Sequence, residues 1–346
     1  MSNIFASSAE DYRLLPKVEL HRHLEGSLRL ATLLDVARKH GMTMPANVVR
    51  LSRLVQIQDE EPFTFENFLG KFNNLRMFYR SPEVIDRVTR EAIEDAAKDN
   101  IRYMELRFTP VALSRAERFP LNDVMDWVCA SAKEGAKKYG VMVRLIVSVN
   151  RHESVELAEQ VIWQAVSKKD KGIVGVDLAG NEAQFPARPF LPVFNEARQA
   201  GLKITMHAGE WVGPQNVREA IEMYETSRIG HGVRVMEDQF TTALARERKI
   251  TFEVCMTSNY QTGVVKLLPA HPAPAMLAAG LDVTFNTDDP SISQITLGNE
   301  YRVAAEDLKI GKDVLKQRIL AAAQASFLPD SDKKKLVESL KKELSK

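Results

Sequence analysis

Residues 18–23 read VELHRH, and LEGS follows at 24–27. The apolar, β-branched start predicts a strand. Strand alternation then puts His21 and His23 on one face, two positions apart. A lone strand histidine is ordinarily structural. Two at this spacing offer two imidazoles to a single ion, and taken alone the stretch leaves metal binding and packing open.

Working outward, similar apolar or β-branched runs recur at 101–108, 141–149, 173–178, 203–207, 228–231, 250–255 and 282–286. Longer segments of helical character separate them. Strands alternating with helices predict βαβ units and a parallel sheet, and eight of them predict a (β/α)8 TIM barrel rather than an open sheet. After the first strand, Ser27 is the expected helix N-cap and Gly41 the expected stop. The longest gap, 41–100, predicts additional helices inserted after the first strand. It contains PFTFENFLGKFNNL at 62–75, in which Phe68 and Phe72 read either as core or as an apolar lid over the barrel mouth. With no linker or internal repeat, residues 1–346 read as a single domain.

The composition fits an ordinary globular chain. Of 346 residues, 45% are hydrophobic and 27% charged, and the formal net charge of +1 gives no electrostatic reason to expect nucleic acid or an anionic membrane as partner. No apolar run reaches the roughly 18 residues of a membrane span. No signal peptide is visible, no protein partner is implied, and a cytoplasmic location is the expectation. Cys129 and Cys255 are too few for a disulfide framework and form no metal-binding pair.

The polar residues gather at the strand ends. MHAGE supplies His207 and Glu210, RIGHG supplies His231 between two glycines, and NTDDP supplies Asp288 and Asp289. Barrel enzymes keep their chemistry at the C-terminal ends of the strands. The remaining histidines, His40, His152 and His271, read as surface or packing residues. Three imidazoles and a carboxylate suit one Zn2+, with Fe2+ or Co2+ also compatible. An ion so held makes water nucleophilic near neutral pH, a nearby histidine can orient it, and a carboxylate can carry a proton to the leaving side. Metal-assisted hydrolysis is the reaction class these parts predict. No serine nucleophile elbow, phosphate-binding loop or lysine for a two-metal bridge is present.

HRHLEGS, MELRFTP, VDLAGNE, HAGE, RIGHG, SNYQTG and NTDDP occur in this order, and the chain resembles the adenosine deaminase family of barrel aminohydrolases. The resemblance implies that His21, His23, His207 and Asp288 bind zinc and that a zinc-bound hydroxide attacks purine C6. It further implies that Glu210 protonates N1 and that His231 orients and helps deprotonate the attacking water. Asp289 would meet N7, Gly180 would meet N3, and His23 and Glu25 would also contact substrate. Phe68 and Phe72 match the family's lid. The implied reaction converts adenosine, and with it 2′-deoxyadenosine, to inosine and ammonia, with a small purine nucleoside as the only partner.

Two positions depart from the adenosine pattern. Glu25 stands where an aspartate serves the ribose, as in adenine deaminase and aminodeoxyfutalosine deaminase relatives, and Asn181 replaces an acid. SNYQTG points back to the adenosine branch, so both relatives remain alternatives. A non-catalytic binding protein is a further alternative, which the full ligand and acid set opposes.

Overall fold

The computed structural model describes residues 9–45 and 47–345. Its eight strands are β1 (Lys17–His23), β2 (Ile101–Phe108), β3 (Met142–Asn150), β4 (Ile173–Ala179), β5 (Lys203–Ala208), β6 (Arg228–His231), β7 (Thr251–Val254) and β8 (Asp282–Phe285). They pair in sequence order, every pair parallel. The expected runs agree with these spans to within one or two residues. This is a (β/α)8 barrel.

Closure between β8 and β1 depends on a few contacts. A parallel bridge joins Arg22 to Asp288. His23 N–H donates to Asp288 O at 2.8 Å, and Asp288 N–H donates to His21 O at 2.9 Å. Asn286 Oδ1 stands in for a missing ladder bond by accepting from Leu20 N at 2.9 Å. The bonds that close the barrel therefore also set Asp288 beside the His-x-His pair.

Between β1 and β2 the chain forms helices Leu30–Lys39, Val48–Val55, Phe65–Leu75 and Pro82–Lys98. Ser27 is not the N-cap of the first. That helix begins three residues later, after an extended Arg29 with no side-chain cap. Ser27 Oγ donates instead to His23 O at 2.6 Å and accepts from Arg22 Nε at 3.2 Å, bracing the turn after β1. Gly41 is left-handed (φ +58°) directly after the helix ends, the conformation a glycine stop supplies.

Helix Phe65–Leu75 starts at Thr64, whose hydroxyl accepts from Asn67 N. It buries Phe68, Lys71 and Leu75 at three- and four-residue steps. The buried Lys71 ammonium is matched by Glu61 at 2.7 Å and by Arg53 O at 2.8 Å, which offsets its desolvation. Helix Pro82–Lys98 packs on helix Leu121–Tyr139 and on β2, so it belongs to the outer ring. Among the described residues of the 41–100 span, those that line the cavity at the barrel mouth fall within residues 65–76. One apolar core runs through all these elements. No helix among the described residues is long and apolar enough to cross a membrane.

Candidate active site

A layer of buried charge lies beneath the C-terminal ends of the strands. Charged residues within largely apolar strands create it: Glu105 and Arg107 on β2, Asp177 on β4, Arg228 on β6 and Glu253 on β7. Arg107 pairs with Asp177 at 3.2 Å and with Glu253 at 2.7 Å, and Arg228 pairs with Glu253 at 2.6 Å, all essentially without solvent contact. Burying such groups is costly unless each is paired and hydrogen-bonded, and here each is.

Two of the carboxylates face upward onto imidazoles. Glu253 Oε2 lies 2.8 Å from His21 Nδ1, and Asp177 Oδ1 lies 3.0 Å from His207 Nδ1. Each therefore accepts an Nδ1–H and leaves the Nε2 lone pair of its histidine facing the cavity. Burial, only partly opposed by Asp177, lowers the His207 pKa to about 4, so this imidazole is neutral and competent to ligate. Gly230 makes room for the first ring, since a Cβ there would sit 2.9 Å from His21 Cε1. The glycine before His231 thus serves His21.

Asp288 completes the cluster. Its Oδ1 is 3.2 Å from His21 Nε2 and 3.3 Å from His23 Nε2, while Ser258 Oγ donates to Oδ2 at 2.7 Å. Burial opposes its ionisation, but the facing imidazoles of His21, His23 and His231 hold its pKa well below the ordinary value. Ligand atoms of His21, His23, His207 and Asp288 all lie within 4.8 Å of one another. Atoms about 2.0–2.1 Å from one ion at tetrahedral angles stand roughly 3.3 Å apart, and the Asp288 separations match. His21 Nε2 is fully buried with no hydrogen-bond partner in the protein. An orphaned buried nitrogen at the centre of a set of imidazoles and one carboxylate fits a divalent ion.

His231 and Asp288 both adopt left-handed backbone, φ +60° and +66°. Non-glycine residues hold that conformation at a cost, and such strain concentrates at functional sites. His231 Nε2 lies 3.7 Å from Glu210 Oε2 and 3.9 Å from Asp288 Oδ2. Glu210 is buried at the end of β5, on a loop held by Glu182. The Glu182 carboxylate accepts from the backbone N–H groups of Gly209, Glu210 and Trp211 at 2.6, 3.1 and 2.9 Å. Burial, reinforced by Asp288 and Glu182, raises the Glu210 pKa well above the usual carboxylate range. Asp289 is raised likewise, by burial and then by Asp288, Glu25 and Glu210. Gly26 leaves space for it, because a Cβ there would lie 1.9 Å from Asp289 Oδ1.

These groups line one cavity of about 400 Å³. Gly180, at φ +93°, is on its wall. Phe68 and Phe72 line it from the inserted helix, where Phe65 packs on Trp211 with ring centroids 4.2 Å apart. Glu25 Oε1 accepts from Thr109 N at 2.7 Å, whereas Oε2 is buried without a partner. Asn181 also lines the cavity, and its side-chain oxygen accepts from Ala183 N and Gln184 N and shapes the turn after Gly180.

His23, Glu25, Phe68, Phe72, Gly180, His207, Glu210, His231, Asp288 and Asp289 therefore meet at one cavity, while His21 is fully buried against its ligand cluster. His152 is exposed, as expected of a surface residue, and also lines the cavity. His271 is a packing residue with a connection to the site: it is 3% exposed and lies 3.2 Å from Asn259, which contacts His231. Asp177, Glu182, Glu253 and Asn259 were not recognised. For Asp177 and Glu253 the available signal was a lone acid inside an apolar strand.

The model of the adenosine deaminase family matches residues 16–343. An adenosine deaminase of Shigella flexneri is 36% identical over 327 residues, covering 94% of this chain and 98% of its own length. A solved adenine deaminase from Arthrobacter aurescens superposes with a TM-score of 0.89 at 25% identity, covering 96% and 100% of the two chains. An N6-methyl-AMP deaminase from Arabidopsis thaliana gives 0.85 at 27%, covering 97% and 98%. A zinc-bound amidohydrolase from Burkholderia ambifaria gives 0.90 at 25%, covering 99% and 94%. With the match running almost end to end, over a cavity that brings the motif residues together, the chain belongs to the adenosine deaminase family, hydrolases that deaminate purines.

Proposed function

We propose that the protein deaminates adenosine hydrolytically to inosine and ammonia, using one zinc ion held by His21, His23, His207 and Asp288. The observation that carries this reading is that two buried carboxyl groups, Glu210 and Asp289, line one cavity with the ligand cluster, where burial favours their protonated form. A purine needs donors at ring nitrogens for C6 to become electrophilic, and a neutral carboxyl is such a donor. When bound, the ion supplies the Lewis acidity that makes water nucleophilic near neutral pH.

The remaining steps belong to the chain's own side chains. Glu210 delivers its proton to N1, so electron density leaves C6 as the attacking oxygen arrives. Asp289 donates to N7, and the backbone at Gly180 meets N3. His231 aligns the attacking oxygen. Phe68 and Phe72 cover the ring and exclude bulk water, which strengthens each of these polar interactions. The two protons of the attacking water pass by way of the Glu210 carboxylate, one to the amino nitrogen and one to restore the acid, and the C6–N bond breaks as ammonia leaves.

The cavity continues past the ligand cluster to Glu25, Arg76, Arg115 and His152. Polar groups beyond the purine plane favour a 6-aminopurine with a substituent at N9 over free adenine. Glu25, anchored by Thr109 N with one oxygen to spare, is suited to the ribose hydroxyls. Adenine deaminase and aminodeoxyfutalosine deaminase activities use the same chemistry and are the competing readings. Ultraviolet assays with adenosine, 2′-deoxyadenosine, adenine and aminodeoxyfutalosine test this directly. Faster turnover of adenine or of the modified nucleoside than of adenosine overturns the substrate assignment.

A further inference from the structure

A chain of hydrogen bonds behind the cavity starts at a backbone amide and ends at His231. Ala273 N–H donates to His271 Nδ1 at 3.1 Å. His271 Nε2 lies 3.2 Å from Asn259 Oδ1, and Asn259 Nδ2 lies 3.1 Å from His231 Nδ1. His271, Asn259 and His231 are 3%, 0% and 1% exposed, so water does not complete these contacts from outside.

The first link has only one possible direction, because an amide N–H can donate but not accept. His271 Nδ1 must therefore be the unprotonated nitrogen, and the neutral ring carries its proton on Nε2. That proton points at Asn259 Oδ1. With its oxygen so engaged, Asn259 presents its NH2 group to His231, whose Nδ1 accepts. Neutral His231 then carries its proton on Nε2, the nitrogen facing Glu210 and Asp288 across the cavity. Reversing the order would set two N–H groups against each other at Ala273, in a buried place where neither could find another partner.

We propose that His271 and Asn259 are positioning residues that hold His231 as its Nε2–H tautomer. On this account His231 enters the reaction as a hydrogen-bond donor to the attacking oxygen, and does not accept its proton. The catalytic half of the statement rests on the aminohydrolase reading. The tautomer half rests on the hydrogen-bond chain alone. Asn259 sits in the TSNYQTG segment and His271 in AHPAP, twelve residues on, so only the fold brings the relay together.

The test is long-range proton–nitrogen NMR on metal-free protein labelled with 15N at its seven histidines. The expected spectrum has His231 and His271 protonated at Nε2 and bare at Nδ1. A proton on His231 Nδ1 in the unmodified protein overturns the proposal. Asn259→Asp replaces the NH2 donor by an acceptor and is expected to move the His231 proton to Nδ1. In zinc-loaded enzyme the same substitution should lower kcat by about 100-fold, with KM changed by less than about twofold. His271→Gln, whose amide N–H can replace Nε2–H, should keep kcat within about threefold, whereas His271→Leu should lose it as Asn259→Asp does. Equal losses in His271→Gln and His271→Leu would mean that His271 merely fills space, and would overturn its role. Should Asn259→Asp fail to fold, the spectrum of the unmodified protein and the His271 pair still decide. The expected spectrum without any purine turnover would contradict the proposed function while supporting the tautomer assignment.

Discussion

Asp177 Oδ1 lies 3.0 Å from His207 Nδ1, and the same carboxylate's other oxygen lies 3.2 Å from Arg107. One acid on β4 therefore fixes the tautomer of a candidate ligand on β5 and is itself held from β2. Burial opposes its ionisation, but His207 and Arg107 hold its pKa far below the ordinary carboxylate range, so it remains an acceptor. Asp177→Asn keeps the shape and loses that guarantee. Zinc affinity is expected to fall by about 10- to 100-fold, measured by competition with a chromophoric chelator. Unchanged affinity would show that Asp177 serves only the charged layer beneath the cavity.

Gly230 separates ligand geometry from fold. A methyl group there would lie 2.9 Å from His21 Cε1 and 3.4 Å from His207 Cα, so the ring must move. Gly230→Ala is expected to fold and to bind zinc at least about tenfold more weakly. Metal analysis after gel filtration, together with a circular dichroism spectrum, checks both parts.

Glu210→Gln retains a hydrogen-bond donor and removes the transferable proton. We expect kcat to fall by about 10²- to 10⁴-fold while metal content is unaffected. Steady-state kinetics beside elemental analysis gives the comparison. A variant that still turns over at the unmodified rate would remove Glu210 from the proton path.

Glu300 provides a pH-dependent test of the fold. Buried under the chain after β7, it accepts from Met256 N at 2.7 Å and from the Thr257 amide and hydroxyl. Burial raises its pKa to about 7, against hydrogen bonds that favour the anion. With the folded pKa above the unfolded one, the native state binds more protons in between. Its contribution is complete below about pH 4.5 and is lost as pH rises through about 7. Metal-free protein should lose about 2–3 kcal/mol between about pH 5 and about pH 8 from this group. Urea titrations at the two pH values should show that slope reduced by a similar amount in Glu300→Gln.

The strands and the polar residues at their ends were legible because strand periodicity and motif order are local properties of the chain. His21, His23, His207 and Asp288 stand out for the same reason: each ends an apolar run. Contacts made only across the barrel were not legible. Nothing local to Glu253 or Asp177 says which histidine it will support, and His271 looks like any residue before a proline until folding sets it beside Asn259. Ser27 was misread because its hydroxyl is used on the preceding turn, at Arg22 and His23, before the helix starts. Helix Pro82–Lys98 fell inside the gap expected to hold inserted helices, since an amphipathic pattern does not tell an outer barrel helix from an inserted one.

The central claim is that one divalent ion and Glu210 act together on a 6-aminopurine nucleoside. Chelator-stripped protein, titrated with zinc while ammonia release from adenosine is followed, tests it most directly. The account predicts no turnover without metal, a linear rise, and a break at one zinc per chain, with Glu210→Gln binding the same single zinc but releasing almost no ammonia. Full activity in the stripped protein, or an unchanged rate in zinc-loaded Glu210→Gln, would contradict it.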